Sequence, residues 1–328
     1  MQPVQNRPSI QTQPAADAVS ARTVSAVILA GRLRQAPLQE ALDVHMLCLP
    51  VGRSGTLLEA WLGALRGVPD LAHVRVVVNS DEDASSVRGV LPREYRLPAS
   101  RPLVDVMAEP ASWRGAGGIV RDVTEDLSDD ALVLVCEGTR LPPASLDPVV
   151  LAASSRDGEG RLPAGVVGVV GEDAPAGLYA FRRASIRHTP RIGYYDMKEQ
   201  FLPALARAGE RVVVASLGEG SARLRDLDSY LQTVRQSLNG SAGTGAANVG
   251  HSSQRVSSRA SVSGSAILDG FCIIEPGAVV EDGAVVHDSV ILWGATVGGG
   301  SVVSCSVIGP LASVEARARA VRQVVARK

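Results

Sequence analysis

The chain has 328 residues, 45% hydrophobic and 20% charged, with a formal net charge of −1. That is long enough for one large domain plus a small one, and nothing in the charge balance draws the chain to nucleic acid or an anionic membrane. Aromatic residues make up 3%, so core volume must come from Val, Leu, Ile and Ala, a composition suited to helix-covered parallel strands and tightly wound repeats.

Residues 1–22 are polar, carry Pro and Gln, and lack a basic n-region and an apolar h-region. They read as a disordered tail, not a signal peptide, and no apolar run reaches the ~18 residues of a membrane span. The expectation is a soluble, cytoplasmic protein without membrane or nucleic-acid partners. Cys48, Cys136, Cys272 and Cys305 are scattered, with no C-x-x-C pair, and read as buried apolar residues.

Val24 to Ala30 is an apolar run ending at Gly31, a buried parallel strand opening into a loop. Leu57, Leu58, Trp61, Leu62 and Leu65 recur at helical spacing, and Val74 to Val78 is again a strand. Strand, helix, strand makes a βαβ unit and implies a parallel sheet. Further strands are expected at Ala131 to Val135, Val166 to Val170, Leu178 to Phe181 and Arg211 to Ala215. Phe201, Leu202 and Leu205 mark one helix; Leu227, Tyr230, Leu231, Val234 and Leu238 mark another. Residues 23–238 therefore form one α/β domain, and the Gly/Ser/Ala-rich stretch 239–255 reads as a flexible linker.

A six-residue period follows. Val256, Val262, Leu268, Ile274, Val280, Val286 and Leu292 share one phase, with Gly298 and Ser304 in the next two slots. Four places on from each lie Ala260, Ala266, Cys272, Ala278, Ala284, Val290 and Thr296, small or slim side chains. One aliphatic and one small slot per hexad is what a triangular parallel β-helix needs, so a β-helix of about three coils is expected over 256–313. Residues 314–328 read as a basic helix, with Val314, Ala318, Val321 and Val325 on one face, capping its open end.

An opening strand with Ala30-Gly31, then an α/β domain, then hexads resembles the sugar-1-phosphate nucleotidyltransferases, the mannose-1-phosphate guanylyltransferase and glucose-1-phosphate nucleotidyltransferase group in particular. The resemblance covers nearly the whole chain from residue 23. It implies a Rossmann-like nucleotidyltransferase domain followed by a left-handed parallel β-helix. The family's first loop, L-A-G-G-x-G-T-R-L-x-P-L, wraps nucleotide phosphates with backbone N–H groups. Here Leu29-Ala30-Gly31-Arg32-Leu33-Arg34-Gln35-Ala36-Pro37-Leu38 keeps Ala-Gly and Arg-Leu but lacks G-x-G-T. The family lysine before L-x-P-V is replaced by His45, in Val44-His45-Met46-Leu47-Cys48-Leu49-Pro50-Val51. Arg114-Gly115-Ala116-Gly117, behind Glu109-Pro110, corresponds to the G-T-A-G loop that approaches the base.

The family's N-G-D, whose aspartate binds Mg²⁺, is Glu137-Gly138-Thr139 here; Thr139 offers a neutral oxygen, leaving Glu137 as a weak candidate ligand. Around Asp226 no carboxylate occupies the second metal position, and the pair Arg223 and Arg225 sits nearby. Tyr194 to Pro203, by contrast, matches the D-x-K-E-x-x-x-P segment beside the sugar phosphate, after a G-x-Y-x-F strand at Gly177 to Phe181. Asp196 and Glu199 also read as N-cap and capping-box partner of a helix.

The resemblance thus implies nucleotide contacts from Ala30, Gly31, Arg32, Arg34, Ala116 and Gly117, and sugar-phosphate contacts from Asp196, Lys198 and Glu199. No catalytic residue is intact beyond the weak candidates Arg32 and Lys198. The expected function is a nucleotide-sugar-binding or regulatory pseudoenzyme, assembled with itself or with an active paralogue, and without a certain cofactor. An active enzyme, using Mg²⁺ to join a nucleoside triphosphate and a sugar phosphate, is the alternative. A hexapeptide-repeat acyltransferase based on His287 is a minor one.

Overall fold

The computed structural model describes residues 23–31, 36–53, 55–97, 100–111, 113–171, 174–218, 223–238 and 253–327. The expected tail at 1–22 and almost all of the expected linker lie outside them, as do Arg32 and Arg34.

The chain is mixed α/β, with a parallel-rich sheet followed by shorter parallel strands. The first sheet comprises β1 (Val24–Leu29), β2 (Leu71–Val78), β3 (Leu103–Ala108), β4 (Leu132–Glu137), β5 (Gly165–Val170), β6 (Ala174–Arg182) and β7 (Val212–Ser216). Their order is β3-β2-β1-β4-β6-β5-β7, and β6 alone runs antiparallel to its neighbours. Helices α1 (Pro37–Leu42), α2 (Leu57–Leu65), α3 (Asp81–Val90), α4 (Gly115–Val123), α5 (Asp147–Ser154), α6 (Arg183–Ile186), α7 (Leu202–Arg207) and α8 (Leu227–Leu238) connect and cover the strands.

Alternation along β1 sends Val27 to one face of the sheet and Ala26 and Ile28 to the other, so the sheet is buried on both sides. On α2, Thr56 and Glu59 form a reciprocal capping box, which fixes where the leucine-rich helix starts. The sequence reading has no counterpart for β3. Asp105 interrupts its apolar run, and as an edge strand it carries only one buried residue, Val106.

The second part is built from β8 (Gln254–Val256), β9 (Ser261–Val262), β10 (Ile267–Ile274), β11 (Val279–Val280), β12 (Val285–Ile291), β13 (Thr296–Val297), β14 (Val302–Ser304), β15 (Val307–Ile308), β16 (Ser313–Val314), β17 (Arg319–Val321) and β18 (Val324–Val325). All pair in parallel. Ile267 lies beside Val285, a step of 18 residues, whereas Val285, Val302 and Arg319 follow at steps of 17. Left-handed backbone recurs with the same spacing: Gly277, Gly294 and Leu311 form one column, Gly283, Gly300 and Arg317 a second, Asp288, Cys305 and Arg322 a third. The chain therefore turns at three recurrent corners.

That spacing corrects the expected phase. Ile274, Val280 and Val286 point inward as expected, but the next inward residues are Ile291, Val297 and Val303 rather than Leu292, Gly298 and Ser304. One residue is lost from each turn at the Asp288 corner, opposite an irregularity between Asp269 and Cys272. The helix expected over 314–328 is not present either; β16, β17 and β18 occupy that stretch and extend the parallel stack. The alternation Val314, Ala320, Val325 continues the inward row, so its apolar residues belong to strands.

The two parts share a core. Phe271, Ile273, Val290, Leu292 and Val307 join the same buried cluster as Tyr230, Leu231 and Val234 of α8. Arg235 bonds Asp288 at 2.9 Å and lies over the Phe271 ring, and Arg322 bonds Asp228 at 3.0 Å. Among the described residues, no helix is long and apolar enough to cross a membrane.

Candidate functional site

A cleft of about 420 Å³ opens at the carboxyl ends of β1, β2 and β3. This is where an open sheet offers a crevice, because β2 and β4 depart to opposite sides of β1. Its floor is Leu29, Gly31, Val77 and Asn79; Glu109 stands at one side; Gly115, Ala116 and Ile119 of α4 form another; Trp113, Tyr194 and Asp196 line the mouth. Trp113 is 74% exposed and held at φ 75, an expensive conformation for a bulky residue. Tyr194 is 49% exposed. Apolar walls with a few polar groups are what an aromatic ring with polar edges requires.

Glycine at position 31 is dictated by the cleft: a Cβ there would stand 2.1 Å from Glu109 Oε1 and 2.7 Å from Asn79 Oδ1. Burial pushes the Glu109 carboxyl above its ordinary value. The N–H groups of Ala30 and Gly31 both donate to the Val77 carbonyl, at 2.8 and 3.1 Å. These two amides serve the sheet, although Gly31 lines the cleft.

The small residues of α4 have a structural partner too. Gly117 and Gly118 donate to the Tyr195 carbonyl at 2.9 and 3.3 Å, and a Cβ on Gly117 would lie 3.0 Å from that oxygen. The close approach demanded at Gly117 is therefore to the chain's own Tyr195, while Ala116 faces the cleft. Arg114 locks this arrangement. Buried at 6% exposure, it makes a bidentate pair with Asp122 at 2.7 and 2.9 Å and donates to the carbonyls of Gly193 and Pro190.

Beside the cleft, at the end of β4, sits a cationic cluster. Leu29 in the cleft floor is the register partner of Glu137. Glu137 Oε1 accepts from Lys198 Nζ at 2.9 Å, and Oε2 accepts from Arg140 Nε at 2.8 Å and Arg223 Nη2 at 2.7 Å. Burial works to raise the Glu137 pKa, but Lys198, Arg140 and Arg223 outweigh it and hold the carboxyl at about 2. Arg223 reaches the site because its segment bridges to Arg140 and Leu224 donates to the Thr139 carbonyl. Gly138 is required by β1, since a Cβ would lie 2.8 Å from the Ile28 side chain.

Mg²⁺ does not fit these residues. The Glu137 carboxylate is engaged by three cationic side chains, and the buried Thr139 supplies no charge. Among the described residues no group of three or more His, Cys, Asp or Glu forms a metal cradle.

Of the remaining expected residues, Asp196 lines the cleft and caps the turn Met197–Phe201, accepting from Lys198 and Glu199 N–H at 2.7 and 2.8 Å. The reciprocal bond comes from Gln200, whose Oε1 accepts from Asp196 N, because this turn is π-helical and one residue wider than the expected capping box. Glu199 does not line the cleft. His45 is buried, its Nδ1 accepts from Leu47 N, and burial lowers its pKa despite Asp83 nearby. A buried neutral imidazole supplies no cation in the lysine's place. His287 meets Asp269 at 2.9 Å and Asp288 at 3.6 Å, and does not line the 190 Å³ hollow beside Asp288.

Sequence reasoning missed Asn79, Trp113 and Tyr194 in the cleft and Arg140 in the cluster. Asn79 was findable, as the first polar residue after a buried parallel strand. Arg140 was not, because nothing in an Arg three places after Glu137 distinguishes a surface pair from a site. Searches of protein-family models and of curated proteins find no match to this chain.

Proposed function

We propose that the chain is a catalytically silent relative of the sugar-1-phosphate nucleotidyltransferases that binds a nucleotide sugar and acts as a regulatory or partner subunit. The observation that carries this reading is the adjacency of two unlike half-sites at the carboxyl end of one sheet. One is a cleft with aromatic side chains at its mouth and the Glu109 carboxylate inside, suited to a nucleobase whose ring N–H groups donate. The other is a cluster of three cations around one carboxylate, net positive and suited to phosphate.

Transfer of a nucleotidyl group needs charge stabilisation on the reacting phosphates, and loss of a single donor of that kind costs about 10²–10³ in rate. Here the metal carboxylates are replaced, the lysine is a buried histidine, and the glycine loop is shortened. Binding without turnover is what such a site supports.

The sheet of the first part is read as the Rossmann-like nucleotidyltransferase architecture, and the second part as a left-handed parallel β-helix. Three columns of left-handed corners and steps of 17 to 18 residues support the latter. Its flat faces are proposed to carry assembly with a second copy or an active paralogue.

Isothermal titration with nucleotide sugars of each common base tests binding, and a pyrophosphate-release assay with Mg²⁺ tests turnover. Binding of one sugar nucleotide without pyrophosphate release is expected. Release with any nucleoside triphosphate and hexose-1-phosphate would restore the active-enzyme reading, and absence of all binding would sink both.

A further inference from the structure

Building on the nucleotide-sugar reading, we infer that this site grips the ligand's diphosphate with Lys198, Arg140 and Arg223 instead of a metal ion, and that Glu137 is a built-in competitor for those cations. The geometry makes the carboxylate a stand-in for an anion. Its two oxygens accept three charge-assisted bonds of 2.7–2.9 Å, the same donors a phosphate would recruit. Three cations salt-bridged to one carboxylate leave this ion-paired group net positive. A net positive cluster beside a cleft is a demand for a further anion.

Access and incompleteness support the same conclusion. The Lys198 and Arg223 side chains are 40% and 37% exposed, open to solvent, while Glu137 is 18% exposed. Among the described residues, Arg223 Nε is buried without a hydrogen-bond partner. So is the hydroxyl of Tyr179, a residue 2% exposed that feels the charges of Glu137, Arg140, Asp196 and Arg223. Buried polar groups are normally paired. Two unsatisfied donors around one cation cluster describe a site whose hydrogen bonds are completed by something else. Tyr179 is placed there by register, opposite Val135 and two residues from Glu137 along β4. Gly177 must be glycine so that Arg140 can pass, since a Cβ there would lie 2.7 Å from Arg140 Cδ.

The test is calorimetric titration of the full chain with inorganic pyrophosphate, in chelator and in Mg²⁺. Binding in chelator, no tighter with Mg²⁺, is expected. Lys198→Met should weaken it about tenfold or more, the worth of one hydrogen bond to a charged group. Glu137→Gln should tighten it by a similar factor, because the neutral amide releases the cations; a thermal melt confirms that this variant is folded. Should it not fold, Lys198→Met and Arg223→Gln carry the test, since both change solvent-open side chains. Binding that requires Mg²⁺, or that ignores Lys198→Met, overturns the inference, as does a folded Glu137→Gln with unchanged affinity. A nucleotide sugar that binds only with Mg²⁺ would spare the proposed function and refute this metal-free grip. Pyrophosphate binding in chelator, with no nucleotide sugar bound, would do the reverse.

Discussion

Arg114→Ala should both destabilise the protein and loosen its cleft. The side chain is 7% exposed, its partner Asp122 is 27% exposed, and two carbonyls, Gly193 and Pro190, depend on it for a donor. Removing one member of a fully buried pair costs about 3–5 kcal/mol. The partial exposure of Asp122 lets water recover some of that, and the carbonyls add back a fraction, so about 3 kcal/mol is expected. For a chain of this size that is a fall of roughly 4–5 °C in melting temperature. Arg114→Lys keeps the charge but loses the fork, and should recover less than half of the loss. Because Arg114 ties the segment bearing Tyr194 and Asp196 to α4, ligand affinity should fall in the same variants at temperatures where they remain folded. Melting followed by circular dichroism, with titration at low temperature, checks both effects. An Arg114→Ala protein that melts with wild type would refute the idea that this pair holds the cleft together.

Phe271→Ala removes a ring shared between the two parts, and should cost about 3–5 kcal/mol with a single cooperative urea transition replaced by two. The His45 pKa is lowered in the fold, so the unfolded chain binds the extra proton: stability is full above about 6.5 and falls by about 1.4 kcal/mol per pH unit below it, down to the folded pKa. His45→Asn keeps an acceptor for the Leu47 amide and should flatten that slope in urea titrations across pH. Since burial raises the Glu109 carboxyl, a ligand that donates to it should bind more weakly as pH falls through that raised value, an onset above that of an ordinary glutamate; Glu109→Gln should abolish the dependence. Gly31→Ala should displace Glu109 and lower ligand affinity with little change in melting temperature, because the clash falls on the tip of a flexible side chain.

The elements most legible in the sequence are those whose local signal and burial agree. Leu57 to Leu65 reads as a helix because its leucines follow one face, and Thr56 and Glu59 cap it just ahead of the first of them. At β3 the signals part company: an edge strand needs only one buried side chain, so Asp105 is tolerated and the alternation vanishes. At the C-terminus, Val314, Ala318, Val321 and Val325 satisfy a helical spacing, but the stack beneath offers unpaired strand edges. Pairing Val302 with Arg319 and Val307 with Val324 satisfies them. The phase slip at Asp288 has a similar origin. A period of six is a local rule, whereas the corner carries an obligation to α8. Asp288 accepts from Phe271 N at 3.0 Å and from Arg235 at 2.9 Å, and one residue fewer per turn accommodates it.

The candidate site was legible only where one residue type admits one job. Gly31 and Gly117 were expected to contact a nucleotide, and the atoms that crowd them are those of Glu109 in one case and the Tyr195 carbonyl in the other. Small residues report a steric demand without naming what makes it. Glu137, likewise, carries no sign in the sequence of which side chains surround it. Its cations are Lys198 and Arg223, 61 and 86 positions from Glu137, and an arginine three residues away. A cation contributed by side chains is dispersed through the sequence in a way that a cation held by clustered carboxylates is not. Side chains that meet at one carboxylate from separate stretches of chain leave no motif, which is why such a cluster shows only in three dimensions.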